Sequence, residues 1–213
     1  MEVLEIKPVR NKEIKAYLVN LSEIKSKLNN NLNINEFLTH QNIKFATIDL
    51  ENENLRTFTK SSLAKVLEQY KIPFYPVDIP EYVMGYLIAE IVEKEEQVNE
   101  LIKEFLSMSN KQSIKGLNLK SWIDFLKAEI DEKKVFLQLK LRPKWIVKKI
   151  LDIIRLRNDT EIAFVHFAQD NIFNETMKLL KDLNINIKEC DQKKEIINLN
   201  LIIKEVELEQ WKY

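Results

Sequence analysis

The chain has 213 residues, 33 basic and 33 acidic side chains, 45% hydrophobic residues, one cysteine and two glycines. This apolar fraction supports a core and excludes general disorder. Zero net charge argues against bulk electrostatic capture of nucleic acid, and the lone Cys190 excludes an internal disulfide and a thiolate-rich zinc site.

The elements read as follows in chain order. Residues 16–21 form a short apolar strand, and 29–35 an asparagine-rich connector. Residues 44–50 (Lys-Phe-Ala-Thr-Ile-Asp-Leu) read as a second strand, apolar enough to be central in a sheet. Thr59 is the expected N-cap of a helix whose Leu63, Val66, Leu67 and Tyr70 fall on one face. Residues 72–79 read as the next strand, placed at an edge by Pro73 and Pro76. Residues 44–79 therefore predict one β-α-β unit with a right-handed crossover.

Pro80 to Met108 predicts a long helix with Met84, Leu87, Ile91, Val98, Ile102 and Phe105 as its stripe. After a loop at 109–116, a second helix over 117–140 presents Leu119, Trp122, Ile123, Leu126, Ile130 and Leu137 on one face. The pair reads as an antiparallel hairpin. A third helix, from Pro143 to Arg157, is apolar on most sides and predicted to be deeply buried. Residues 161–167 predict a strand, 171–183 a helix and 185–189 a strand. Ile197, Leu199, Leu201 and Ile203 then alternate before slipping to Val206 and Leu208, which predicts a bulge at 203–206.

The order predicts an α/β fold: a mixed, mostly parallel sheet with flanking helices and a long antiparallel helical-hairpin insertion. Residues 1–79 and 158–213 would be the two parts of the α/β domain. Residues 80–157, the hairpin plus the buried helix, would be an insertion or subdomain.

Phosphate-cradling loops need glycine for close backbone approach or positive φ. Gly85 and Gly116 both fall in the helical stretch, so neither a P-loop nor a dinucleotide fingerprint exists. No NAD, FAD or P-loop nucleotide is expected as cofactor. No run of 18 apolar residues predicts a membrane span. Met1 to Glu5 lacks the basic and apolar regions of a signal peptide, so the expected location is cytoplasmic.

Asp49, Asp78 and His166 lie near predicted strand ends, where open α/β sheets bind ligands. Two carboxylates and an imidazole could hold a divalent metal or act as acid and base. Asp78 could instead cap the helix from Pro80. Lys60, Ser61 and Ser62 open a helix after a strand and are a weak anion-site candidate, although Asn54 and Thr59 occupy the positions where a phosphate loop has glycine. Residues 140–157 carry seven bases and one acid, and Lys144, Lys148 and Arg155 form a basic patch on the face that also bears Asp152. Such a patch would suit nucleic acid or an acidic partner, but aromatic residues do not interleave with it. Cys190 reads as a passive thiol and His40 as a surface residue.

With no nucleotide loop, Cys/His cluster or nucleophile elbow, the leading expectation is a soluble binding or regulatory protein. Its protein partner, or its second copy in a homodimer, would dock on helices 81–141. The alternative is a metal-dependent hydrolase or phosphoesterase with Asp49, Asp78 and His166 at the strand ends.

Overall fold

The computed structural model describes residues 11–21, 41–50 and 55–189, with Ile6, Val9 and Leu38. The alternating C-terminal strand, His40 and Cys190 lie outside these residues. The chain divides into two compact units, one formed by 1–79 with 142–213 and the other by 80–141.

The first unit holds strands β1 (Glu13–Asn20), β2 (Phe45–Ile48), β3 (Phe74–Pro76), β4 (Glu161–Ala168) and β5 (Asn186–Glu189). They form one sheet in the order β3-β2-β4-β1-β5. Every pairing among the described residues is parallel, in keeping with the mostly parallel sheet expected from the sequence. The physical reason is the connections: a parallel partner needs a crossover of a dozen or more residues, and no tight hairpin turn joins consecutive strands here. β3, with its prolines, is an edge strand, and β2 is internal.

Alternation along the strands feeds two cores. Phe45 and Phe164 stack at 5.1 Å and pack with Ala16, Ile162 and Leu180 in one cluster. Ala46, Ile48, Val165 and Phe167 pack with Leu67 in the other. Helix α1 spans Leu55–Phe58, and α2 spans Ser62–Gln69. Ser61, rather than Thr59, caps α2 by accepting the Ala64 N–H at 3.2 Å. Thr59 instead donates its hydroxyl to the Arg56 carbonyl.

The second unit contains α3 (Glu81–Ser107), α4 (Ile114–Phe136) and a π-helical turn, Leu137–Leu141. Ile91, Val98, Ile123, Leu126, Ile130 and Leu137 form its core. Ion pairs Lys115–Glu104, Lys94–Glu129 and Lys133–Glu90 run in opposite directions along the two helices, so these are antiparallel. Helix α5 (Arg142–Arg155) follows the π turn. The sequence grouped it with the hairpin, but Ile146, Val147, Ile150, Leu151 and Ile154 are buried in the sheet's own cluster. The unit boundary therefore falls at 141 and not at 157. Helix α6 (Asp170–Asp182) completes the sheet unit. Among the described residues, no helix is long and apolar enough to cross a membrane.

Without glycine, the sheet unit takes its left-handed turns with other residues. Positive φ occurs at Asn11, Asn42, Lys71 and Asn184, and asparagine tolerates this region better than most side chains. Lys71 follows α2, and the Ile72 N–H returns to the Leu67 carbonyl at 2.9 Å, closing a Schellman turn. The two glycines differ in kind. A Cβ on Gly116 would lie 2.4 Å from the Lys111 carbonyl oxygen, whereas one on Gly85 would meet nothing within 4 Å. Gly116→Ala is expected to cost about 1–3 kcal/mol through overpacking. Gly85→Ala, inside a helix, should gain about 0.5–1 kcal/mol. Urea unfolding of both variants checks this, and equal signs would contradict it.

Candidate functional site

Chain connections place a switch point between β2 and β4. From β2 the chain passes through α2 to β3, at one edge; from β4 it passes through α6 to β5, at the other. Leu67 of α2 and Leu180 of α6 belong to different clusters, so these helices cover opposite faces. Adjacent strands whose connections depart in opposite directions open a crevice at their carboxyl ends, where open α/β sheets bind ligands.

A closed set of polar groups occupies that position. Thr47 and His166 are register partners on β2 and β4. Asp49 follows Thr47 by two residues and so projects to the same face. The Thr47 hydroxyl oxygen lies 3.0 Å from His166 Nδ1. His166 Nε2 lies 3.3 Å from Asp49 Oδ1. The alignment is poor for a hydrogen bond, and neither of these two buried atoms has another partner among the described residues. Asp49 Oδ2 accepts the Gln169 backbone N–H at 3.0 Å, while the Gln169 side-chain amide donates to the Asp49 carbonyl at 3.2 Å. Gln169 is the N-cap residue of α6.

Asp78, after β3, completes the set through Arg142. Arg142 Nε donates to Asp78 Oδ1 at 2.9 Å, and its Nη2 donates to Oδ2. The Ile79 N–H also donates to Asp78 Oδ1, at 2.8 Å. Arg142 Nη2 reaches Gln169 Oε1 at 3.4 Å, linking the two halves of the set. Asp78 therefore does not cap the helix at Pro80, where no side-chain cap bond exists.

Burial controls the protonation of the central pair. Asp49 and His166 are fully buried. Burial pushes the Asp49 carboxyl up to about 7; the Gln169 N–H opposes this, the Asp78 charge adds to it, and Arg142 opposes it. Burial likewise pushes His166 down to about 4, against a hydrogen bond with the Thr47 backbone and the Asp78 charge. Both shifts disfavour the charged form. Between these values the pair is an uncharged acid beside an uncharged imidazole, a form that tolerates a dry interior.

The three residues singled out in the sequence thus gather at one end of the sheet, but not as a ligand set. Both oxygens of Asp78 are engaged by Arg142. Among the described residues, no group of three or more His, Cys, Asp or Glu is arranged to hold a metal ion. Sequence reasoning missed Thr47, Gln169 and Arg142. Thr47 was readable from strand alternation with Asp49; Arg142, 64 positions from Asp78, carried no local signal.

Ser61 of the weak anion candidate accepts the Ala64 N–H of its own helix, and Lys60 and Ser62 flank it. In the basic patch, Lys148 and Arg155 both pair with Asp152, at 3.0 and 2.7 Å, which neutralises part of it. Lys144 lies on the same helix, α5. A cleft of about 250 Å³ opens near the amino ends of β1 and β4, where Lys15 and Lys44 are offset by Glu13 and Glu161.

Exposed apolar side chains form a second candidate. Of the thirteen large ones among the described residues, twelve belong to the unit of residues 80–141. Six of these, Ile114, Leu117, Trp122, Phe125, Val135 and Phe136, lie on α4. At ~100° per residue they share an arc of about 140°, opposite the buried stripe of Gly116, Ile123, Leu126 and Ile130. The sequence reading placed Trp122 on the buried stripe. It is exposed instead, stacked on Phe125 at 5.4 Å.

Compared with protein-family models, curated proteins and solved structures, the chain matches none of them.

Proposed function

We propose that this chain is a cytoplasmic binding or regulatory protein that docks a protein partner on its helical hairpin. The observation that carries this reading is the second apolar stripe of α4. A helix in a two-helix hairpin needs one apolar stripe, and α4 bears two on opposite sides. Clusters of exposed apolar side chains with polar residues among them mark interaction sites. Stacked aromatics near the middle of the stripe are the residue types that dominate binding energy at interfaces. The test is hydroxyl-radical footprinting of Trp122 and Phe125, in the dilute purified protein and in extract of its native cells. Protection in extract is expected, and equal oxidation in both would overturn the reading.

A hydrolase or phosphoesterase site at the strand ends is the second reading. It is favoured by the position of Asp49 and His166 at the switch point and by a carboxyl poised near neutrality. It requires phosphomonoester turnover that depends on added divalent metal and disappears in Asp49→Asn. The full burial of both side chains weighs against it, because a general base must reach the proton it removes.

A further inference from the structure

We propose that the partner of the outward stripe of α4 is a second copy of this chain, docked antiparallel about a two-fold axis through Phe125. The inference rests on the binding reading above and names its partner.

A two-fold interface must be self-complementary, since the same patch serves both copies. In an antiparallel helix pair, residues equidistant from the axis meet at the same height. Phe125 is the midpoint of α4, eleven residues from both Ile114 and Phe136. These two apolar ends would therefore cover one another. Three residues from the axis, Trp122 has Ala128 as its counterpart, so the largest side chain meets one of the smallest. Such large-against-small pairing lets facing layers interdigitate. At four residues Ser121 faces Glu129, whose carboxylate is already paired with Lys94 of its own hairpin, and at seven Asn118 faces Glu132. The Glu132 carboxylate thus meets a hydrogen-bond donor, and no like charges oppose one another at these positions. Positions 114, 118, 121, 125, 128, 132 and 135 also keep the alternating four-and-three spacing of a helix seam.

The area is consistent with a stable dimer. Exposure is 81% for Ile114, 49% for Leu117, 52% for Trp122, 56% for Phe125, 53% for Val135 and 39% for Phe136. At roughly 190 Å² per large side chain this amounts to ~600 Å² of apolar surface per copy. A standard interface buries ~800 Å² per partner, which leaves room for the polar rim.

Light scattering on size-exclusion fractions across a concentration series should find a dimer. Phe125→Asp should weaken it by roughly 1000-fold, because a central residue worth ~30-fold occurs twice in a two-fold interface. The helical circular dichroism of that variant should be unchanged, since Phe125 is exposed. The geometry is tested by oxidative cross-linking in a Cys190→Ser background. Phe125→Cys, on the axis, should form a covalent dimer, and Leu117→Cys, away from it, should not. A chain that stays monomeric at its highest soluble concentration overturns the proposal, as does cross-linking through 117 but not 125. If the chain is monomeric yet Trp122 and Phe125 are protected in extract, self-association fails and the binding reading stands. If it is monomeric and the two residues are unprotected, both fail.

Discussion

Substituting either member of the buried pair gives variants whose stability drifts with pH in opposite directions relative to wild type. In Asp49→Asn, the stability difference from wild type rises by about 4 kcal/mol between pH 4 and 7. In His166→Gln it falls by about 3 kcal/mol between pH 4 and 6.5. The sign follows from proton counting. The Asp49 carboxyl titrates near 7 when folded and from 3.8 as an ordinary carboxyl, so the folded state holds the extra proton between those values. Its contribution is full below pH 3.8 and is lost as pH rises towards 7. His166 titrates near 4 when folded against an ordinary 6.5, so the unfolded state holds the extra proton. Its contribution is full above pH 6.5 and is lost as pH falls to 4. One pKa unit corresponds to about 1.4 kcal/mol, which sets both magnitudes.

In the wild type the two slopes cancel between pH 4 and 6.5. Folded and unfolded chains each hold one titratable proton on this pair, on Asp49 in the first and on His166 in the second. Either substitution unmasks the surviving slope. Each shift arises first from burial and then from Asp78, Thr47, Gln169 or Arg142, and not from the other member of the pair. Removing one member therefore leaves the other's shift in place. Chemical denaturation of wild type and both variants from pH 4 to 7 checks this. Parallel stability curves for the two variants would refute it.

Arg142→Ala should lose about 3–5 kcal/mol, the usual cost of stranding one partner of a buried ion pair. The side chains of Arg142 and Asp78 are only 12% and 3% exposed. Without the guanidinium, the Asp78 carboxylate keeps one hydrogen bond among the described residues, from the Ile79 N–H. The double variant Arg142→Leu with Asp78→Leu should recover much of the loss, because buried pairs often exchange for apolar residues at little net cost. A loss within about 0.5 kcal/mol for Arg142→Ala, the range of an ordinary surface change, would contradict this reading. Urea midpoints with unchanged m-values are the measurement. By contrast, breaking the exposed Lys134–Glu95 pair should leave the urea midpoint nearly unchanged, because solvent screens both charges.

Much of the fold was legible because short-range rules determine it. Period-two and period-3.6 patterns located the strands at 44–50 and 161–167 and the helices at 80–108 and 171–183 within a few residues of where they occur. Two prolines marked β3 as an edge, since proline cannot donate to a ladder. The strand-end position of Asp49, Asp78 and His166 was legible too, because α/β order implies parallel strands whose carboxyl ends share one side. The polar set at β2 and β4 is built from side chains together with the backbone N–H of Gln169.

What the sequence could not supply was the choice between equivalent neighbours. An apolar stripe does not say what it packs against. Trp122 and Ile123 are consecutive and both apolar, yet Ile123 is buried against α3 and Trp122 is exposed, a difference decided by how the hairpin's two helices pair. Helix α5 was readable as buried, but its place in the sheet's core was not, because burial has no address in one dimension. The order of strand and helix patterns by itself determined an α/β protein. Only the tertiary structure decided that Asp78 belongs to Arg142, that Asp49 and His166 share a fully buried site, and that α4 has a second apolar face. Local propensity acts over a few residues, whereas these outcomes depend on groups brought together across 64 to 120 positions of chain.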